Sequence, residues 1–332
     1  MSDGVTAVQY GVGPIGSRIV SVANARGIEF VGAVDVDPEK AGRDLGDVAG
    51  LDAALGVTVT EDAEAALDAD PDVVFHSTAS SLAAVEDQLA EAMAAGADVV
   101  STTEELSYPW RDNATVAESV DETAREAGAT LLGTGINPGF AMDTLPAVLS
   151  TPCQSVDFVS VTRVQDAGTR RKPLQEKVGA GTSLERFESE VAPDAGHVGL
   201  PESVAMIAAG MGWELSDVRE TVEPVVAKRR VQSDYVTVEP GEVAGIHQVG
   251  RGLVDGDPVL ELDLSMYVGA ENPRDVVELT GEPDLTVSVD GGFHGDVTTP
   301  AIVVNAVERV REAEPGLQTM LDLATPRYGG RY

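Results

Sequence analysis

The segment from Val5 to Gly16 constrains this chain more than any other, because a β-branched run delivers Gly11-Val12-Gly13-Pro14-Ile15-Gly16 directly into a helix-like stretch. In a G-x-G-x-x-G turn of this kind, the first glycine permits the sharp reversal and the second lets backbone approach a pyrophosphate. The third lets the helix pack closely on the strand, and the helix N-terminus offers free N–H groups to the anion. The next strand ends at Asp35, nineteen residues beyond Gly16. A carboxylate there accepts hydrogen bonds from the adenosine ribose hydroxyls.

Strand, glycines, helix, second strand and acid in that order predict a Rossmann domain that binds a dinucleotide through Gly11, Gly13, Pro14, Ile15, Gly16 and Asp35. Asp35 repels a 2′-phosphate, which favours NAD, while nearby Lys40 and Arg43 leave NADP open. Further short β-rich runs at Phe30–Val34, Val73–Ser77, Val99–Thr102 and Thr130–Gly133 alternate with amphipathic stretches. In one of these, Ser81 to Ala95, residues Leu82, Val85, Leu89, Ala92 and Met93 recur at helical spacing and mark one buried face. The grammar is βαβ, that of a doubly wound parallel sheet.

After Pro152 the pattern changes. Helical segments at 184–191 and 201–211 precede longer strand-like runs, and in Val259–Val268 the residues Leu260, Leu262, Leu264, Met266 and Val268 alternate with Glu261, Asp263, Ser265 and Tyr267. That alternation predicts a strand with one wet face in an open antiparallel or mixed sheet. The expected fold is α/β, with a Rossmann doubly wound parallel sheet at 1–150. A second α+β domain for substrate or oligomerisation, built on an open mixed sheet, is expected at 151–290. Residues 291–332 are expected to return to the first domain, with a helix at about 298–312.

Composition narrows the partners. Fifty-six acidic against 22 basic residues give a formal net charge of −34, which excludes nucleic acid as an expected partner, and only four of the basic residues are lysines. Such a surface is read as salt adaptation, since molar salt shortens the Debye length to about 3 Å and relieves the self-repulsion, the alternative being an ordinary acidic bacterial protein. One cysteine, Cys153, excludes a disulfide framework and a thiolate zinc cluster, and four scattered histidines show no ligand spacing, so no metal is expected. Met1-Ser2-Asp3-Gly4 carries no basic leader or cleavage signal and no run approaches membrane-spanning length, so a cytoplasmic location is expected.

Three segments go beyond a generic dinucleotide-binding chain: 101–109 (STTEELSYP), 133–140 (GTGINPGF) and 291–296 (GGFHGD). With Gly179-Ala180-Gly181 and His197 to Ser203 they resemble the 2,4-diaminopentanoate dehydrogenase family, a dihydrodipicolinate-reductase-like group, over nearly the whole chain. The paired-histidine segment and the Lys-x-Asp-Ala-Pro-Ser-Gly-Thr signature of dihydrodipicolinate reductase proper are absent. The resemblance implies NAD(P)-dependent oxidative deamination of a small amino acid or amine such as 2,4-diaminopentanoate, or the reverse reductive amination. Other readings keep the cofactor with an imine, semialdehyde or hydroxy acid, or make the chain a non-catalytic dinucleotide sensor.

Ligands of open α/β sheets bind at the carboxyl ends of the strands, which selects the candidate site residues. Ser77, Thr78 and Thr103 are expected near the cofactor, the alternative for each hydroxyl being a cap or turn. Glu104 or Glu105 is a candidate to hold a substrate ammonium, or else lies on a solvated acidic face. The loop 133–140, with Gly135 and Asn137, is expected to take a substrate carboxylate or the nicotinamide carboxamide. His294, two residues before Asp296, is the first candidate for general base, with the alternative of a loop histidine bonded to backbone. His197, near Glu202, is the second, His76 reads as a core residue, and the facing of His247 stays open. A homodimer would cover the open face of the second sheet, although loops or helices could do so instead.

Overall fold

A computed structural model describes residues 4–329, so Met1 to Asp3, part of the segment read for a leader, lie outside the described residues. Strand β1 (Thr6–Tyr10) passes through the glycine turn into helix α1 (Pro14–Ala25), which buries Gly16, Ile19, Val20 and Ala23 and starts with proline at its first position. Strands β2 (Glu29–Val34), β3 (Val59–Thr60) and β4 (Val73–His76) follow. Helix α2 (Leu82–Ala94) then buries Leu82, Val85, Leu89, Ala92 and Met93, the face its spacing predicts. Each fully buried Leu or Val side chain on that face contributes about 1.5–3 kcal/mol. Strand β5 (Asp98–Ser101), helix α3 (Ala114–Ala127) and strand β6 (Thr130–Gly133) complete the first run.

The chain divides into two units, one of residues 1–140 with 295–332 and one of residues 141–294. These borders fall ten residues before and four residues after those expected from sequence. The cause of the first shift is the helix Thr144–Leu149, whose capping Asp143 receives the Ser203 hydroxyl at 2.8 Å and so belongs with the second unit. At the second border, Phe293 is bonded on both its N–H and its carbonyl to the second unit's Asp275 and Arg163.

The second unit holds strands β7 (Ser155–Asp166), helix α4 (Leu200–Met211), β8 (Asp217–Val226), β9 (Val243–Val254), β10 (Asp257–Tyr267), β11 (Arg274–Glu282) and β12 (Leu285–Asp290). They form a six-stranded sheet in the order β12-β11-β7-β10-β9-β8. The sheet is mixed, since β7 and β10 pair in parallel and the other neighbours are antiparallel. Leu260, Leu262, Leu264 and Met266 of β10 are buried, while Glu261, Asp263, Ser265 and Tyr267 stay half-exposed.

The chain then returns to the first unit through helix α5 (Gly295–Glu312), packed on α1, β5 and β6, and strand β13 (Gly316–Gln318), parallel to β6. The parallel sheet of this unit has seven strands in the order β13-β6-β5-β4-β1-β2-β3. Strand order therefore reverses between β1 and β4, and the carboxyl ends on either side of that point are where such sheets take ligands. Among the described residues no helix is long and apolar enough to cross a membrane.

Candidate functional site

The glycine turn sits at that reversal. The Gly11 N–H donates to the Val34 carbonyl at 2.8 Å, and the Gly11 carbonyl accepts from Gln9 Nε2 at 2.9 Å and Ser77 Oγ at 2.8 Å. Gln9 is fully buried, so a polar side chain inside β1 is spent on holding one carbonyl of the turn. Gly11 has φ +88°, and a Cβ on it would lie 2.6 Å from the Ser77 carbonyl oxygen; a Cβ on Gly16 would lie 2.0 Å from the Gly11 oxygen. Gly13 differs: its φ is −74°, open to any residue, and a Cβ there meets nothing within 4 Å. The protein's own packing explains Gly11 and Gly16, whereas at Gly13 it demands nothing and the space beside the turn is open. Pro14 carries no N–H, which leaves those of Ile15 and Gly16 as donors without intrahelical acceptors beside that space. These features fit a diphosphate.

Asp35 closes the far side. Its carboxylate accepts from the N–H groups of Val12 at 2.8 Å and Asp37 at 2.9 Å, and Lys40 Nζ lies 3.0 Å away. Burial works against its ionisation, but the donors of Asp37, Lys40 and Val12 outweigh it and hold the carboxyl below its ordinary range. Lys40 also reaches Asp37 at 3.4 Å, so this cation is already shared between two carboxylates.

The ends of β4 and β5 carry a hydroxyl–imidazole network. His76 contacts Ser101 Oγ through Nδ1 and both Gln88 Oε1 and Thr78 Oγ1 through Nε2, each at 2.9 Å. Ser101 Oγ donates to Thr103 Oγ1 at 3.0 Å, and Thr103 donates to the Ala79 carbonyl at 2.9 Å. Ser77, Thr78 and Thr103 thus have protein partners of their own, at the same sheet edge as the glycine turn. Burial pushes the His76 imidazole down to about 4. Below the unfolded value of about 6.5 the unfolded chain therefore takes up a proton that the folded chain refuses, and stability falls as pH falls toward 4. The expected loss from this residue across that window is about 3 kcal/mol. Unfolding free energies of wild type and His76→Gln measured from pH 7 to pH 4 check it; parallel curves would refute it.

Two adjacent acids after β5 have different surroundings. Glu105 Oε2 accepts from the Leu82 N–H at 2.8 Å and so caps α2, whereas Glu104 is half-buried at the start of a short 3-10 turn, Glu104–Ser107. After β6, the loop from Thr134 folds tightly on itself: Gly139 has φ +121° and a Cβ on it would lie 2.4 Å from the Gly135 nitrogen. The Ile136 N–H donates to Thr299 Oγ1 of α5 at 3.2 Å. Asn137 is 8% exposed, and neither its Oδ1 nor its Nδ2 has a hydrogen-bond partner; nor has the buried Thr134 Oγ1. Gly11 to Gly16, Asp35, Ser77, Thr78, Thr103, Glu104, Gly135 and Asn137 all lie in the first unit at the carboxyl ends of its strands.

His294 and His197 lie in the second unit. Arg163 of β7 and Asp275 of β11, opposite each other in register, form an ion pair at 2.5 Å with both side chains almost wholly buried. Arg163 Nη2 donates to the Phe293 carbonyl at 2.7 Å and the Phe293 N–H donates to Asp275 Oδ2 at 2.6 Å, which fixes the backbone next to His294. The backbone of His197 is held by Gln248, which accepts from its N–H at 2.7 Å and donates to its carbonyl at 3.2 Å. His247 pairs with Asp263 at 3.1 Å on the wet face of the sheet. Sequence reasoning passed over Gln9, Thr134 and the Arg163–Asp275 pair. For Gln9 the available signal was a long polar side chain in a short, mostly apolar strand; Thr134 follows β6, and Arg163 and Asp275 sit in strands with several other polar residues, so neither stood out. Among the described residues no group of three or more His, Cys, Asp or Glu could hold a metal ion.

Residues 140–329 match the family described as the 2,4-diaminopentanoate dehydrogenase C-terminal domain. The chain is 35% identical to 2,4-diaminopentanoate dehydrogenase of Acetoanaerobium sticklandii, across 69% of this chain and 67% of that one. It is 26% identical to an amine dehydrogenase of Streptomyces virginiae across 96% of both chains. The solved structure of an amine dehydrogenase from Mycobacterium smegmatis superposes with a TM-score of 0.88 and 28% identity, covering 99% of each chain. The chain belongs to the 2,4-diaminopentanoate dehydrogenase family and is an oxidoreductase.

Proposed function

We propose that the chain catalyses NAD(P)-dependent oxidative deamination, or the reverse reductive amination, of a small amino acid or amine such as 2,4-diaminopentanoate. The observation that carries the reading is the clear space at Gly13, flanked by helix N-terminal donors and by Asp35, in a chain of this family. Bound there, the dinucleotide supplies the hydride acceptor or donor. Gly11, Gly13, Pro14, Ile15 and Gly16 hold the diphosphate and Asp35 the adenosine ribose. Ser77, Thr78 and Thr103 shape the wall beyond the diphosphate, and Gly135 and Asn137 serve the nicotinamide end.

Glu104 is assigned to the substrate nitrogen. Loss of hydride from the amine carbon leaves an iminium, water adds to it, and ammonia departs as the carbonyl forms. A carboxylate beside the nitrogen offsets its positive charge, and a base must take the proton released. His294 is assigned that role, with His197 as the second choice.

Purified protein in concentrated KCl, assayed for NAD and NADP reduction with 2,4-diaminopentanoate, other diamino acids, simple amines and hydroxy acids, tests the proposal. Turnover of amines with ammonia released is the expected result, and turnover confined to hydroxy acids would sink it. The net charge of −34 and the half-wet second sheet further support a salt-adapted homodimer. A thermal midpoint that does not rise with KCl, or a monomeric mass in light scattering, argues against either part.

A further inference from the structure

We propose that Asn137 reads the carboxamide of the nicotinamide ring, pairing with it through both ends of its own amide. This rests on the reading that the first unit binds a nicotinamide dinucleotide, and goes beyond it by assigning one recognition contact and its direction.

An asparagine buried with both its carbonyl and its NH2 unmatched forfeits hydrogen bonds it would make in water, and such groups in native proteins call for an explanation. The loop cannot easily turn the residue out to solvent. It is folded tightly at Gly135 and Gly139 and tied to Thr299 through Ile136. Its position suits the ring end of the cofactor: Asp35 and the glycine turn take the adenosine and diphosphate at β2 and β1, and the rest of the molecule extends toward β4, β5 and β6. Asn137 follows β6, three strand spacings or about 14 Å from β1.

Donor and acceptor chemistry then narrows the partner. The asparagine side chain offers one acceptor and one NH2 donor side by side. A lone carboxylate has acceptors only and leaves the asparagine carbonyl orphaned; a lone ammonium leaves its NH2 orphaned. A primary carboxamide satisfies both at once. Thr134 Oγ1, buried in the same loop and also without a partner, provides a third polar group there that can donate or accept.

Calorimetric titration of the full chain in concentrated KCl, with NAD and with 3-acetylpyridine adenine dinucleotide, tests the assignment. The analogue keeps the ring carbonyl and lacks the NH2 group. A site built to bond that NH2 discriminates against the analogue, here by about 10-fold in wild type. Asn137→Leu is expected to weaken NAD binding about 30-fold and to bring the ratio between the two dinucleotides close to one. Asn137→Asp keeps the shape and the acceptor but not the donor, so NAD binds more weakly while the ratio rises above the wild-type value. This isosteric variant also serves if the leucine variant does not fold.

Wild-type affinity and an unchanged ratio in either folded variant would overturn the contact and leave water as the amide's partner. An unchanged ratio combined with a raised KM for the amine would place Asn137 on the substrate and overturn it equally. A wild-type protein that binds neither of these dinucleotides nor NADP removes the underlying cofactor reading, an outcome separate from both.

Discussion

Gly13→Thr is expected to unfold at the wild-type temperature within a degree or two and to bind NAD about 100-fold more weakly, whereas Gly16→Ala is expected to lose stability and binding together. The contrast follows from what each added carbon meets. At Gly13 the backbone is in a conformation open to any residue, and threonine serves as a helix N-cap about as well as glycine. Outside the residue and its two chain neighbours no heavy atom lies within 4 Å of the new Cβ, so the rest of the fold does not resist it. A diphosphate seated against the helix N-terminus would meet the added atoms, and overpacking of that size costs about 1–3 kcal/mol, the upper end being roughly 100-fold in affinity.

At Gly16 the new Cβ falls 2.0 Å from the Gly11 carbonyl oxygen, 2.8 Å from Ser77 Oγ and 2.9 Å from Gln9 Nε2. No rotamer can relieve a clash with backbone. Helix α1 must move off the strand, and the bonds that hold the turn go with it, at a cost of about 3 kcal/mol. Thermal unfolding and NAD calorimetry on both variants check the pair. A Gly13→Thr protein that binds NAD as wild type does would show that the space beside α1 is not where the diphosphate rests.

The glycine turn was legible because its demands are local: three steric requirements and one carboxylate, all within 25 residues of chain. The buried face of α2 was legible for the same reason, since helical periodicity needs no knowledge of the partner surface. The borders between the units were not. They depend on Asp143 meeting Ser203 and on Arg163 and Asp275 holding Phe293, contacts between residues 18 to 130 apart that no local pattern announces. Strand β13 was missed because three residues become a strand only when β6 is there to pair with them. In the candidate site, residue type pointed to Asn137 and to Glu104 or Glu105, but nothing in the order of residues shows that the Asn137 amide is buried without a partner. Nor does it show which of two neighbouring glutamates caps a helix.

That last distinction yields the second large effect. Glu104→Gln is expected to lower kcat for amine oxidation by 10² to 10³-fold. Glu105→Ala should instead cost about 1 kcal/mol of stability and leave kcat nearly intact. Glu105 spends its carboxylate on the Leu82 N–H at the start of α2, so its removal is felt as a lost cap. Glu104 stands one residue earlier, at the carboxyl end of β5, and its proposed partner is the substrate nitrogen. That nitrogen binds as an ammonium, must give up one proton to become the neutral amine from which hydride can leave, and becomes positive again as the iminium forms. A fixed carboxylate therefore stabilises the charge that develops between the neutral amine and the iminium-like transition state, and its neutral isostere does not. Charge-assisted hydrogen bonds are about twice as strong as neutral ones, and one placed at the reacting centre carries the larger rate effect expected of transition-state electrostatics. Steady-state kinetics with 2,4-diaminopentanoate, alongside thermal melts of the two variants, decide the matter. If Glu104→Gln turns over at the wild-type rate, the ammonium is held by some other group.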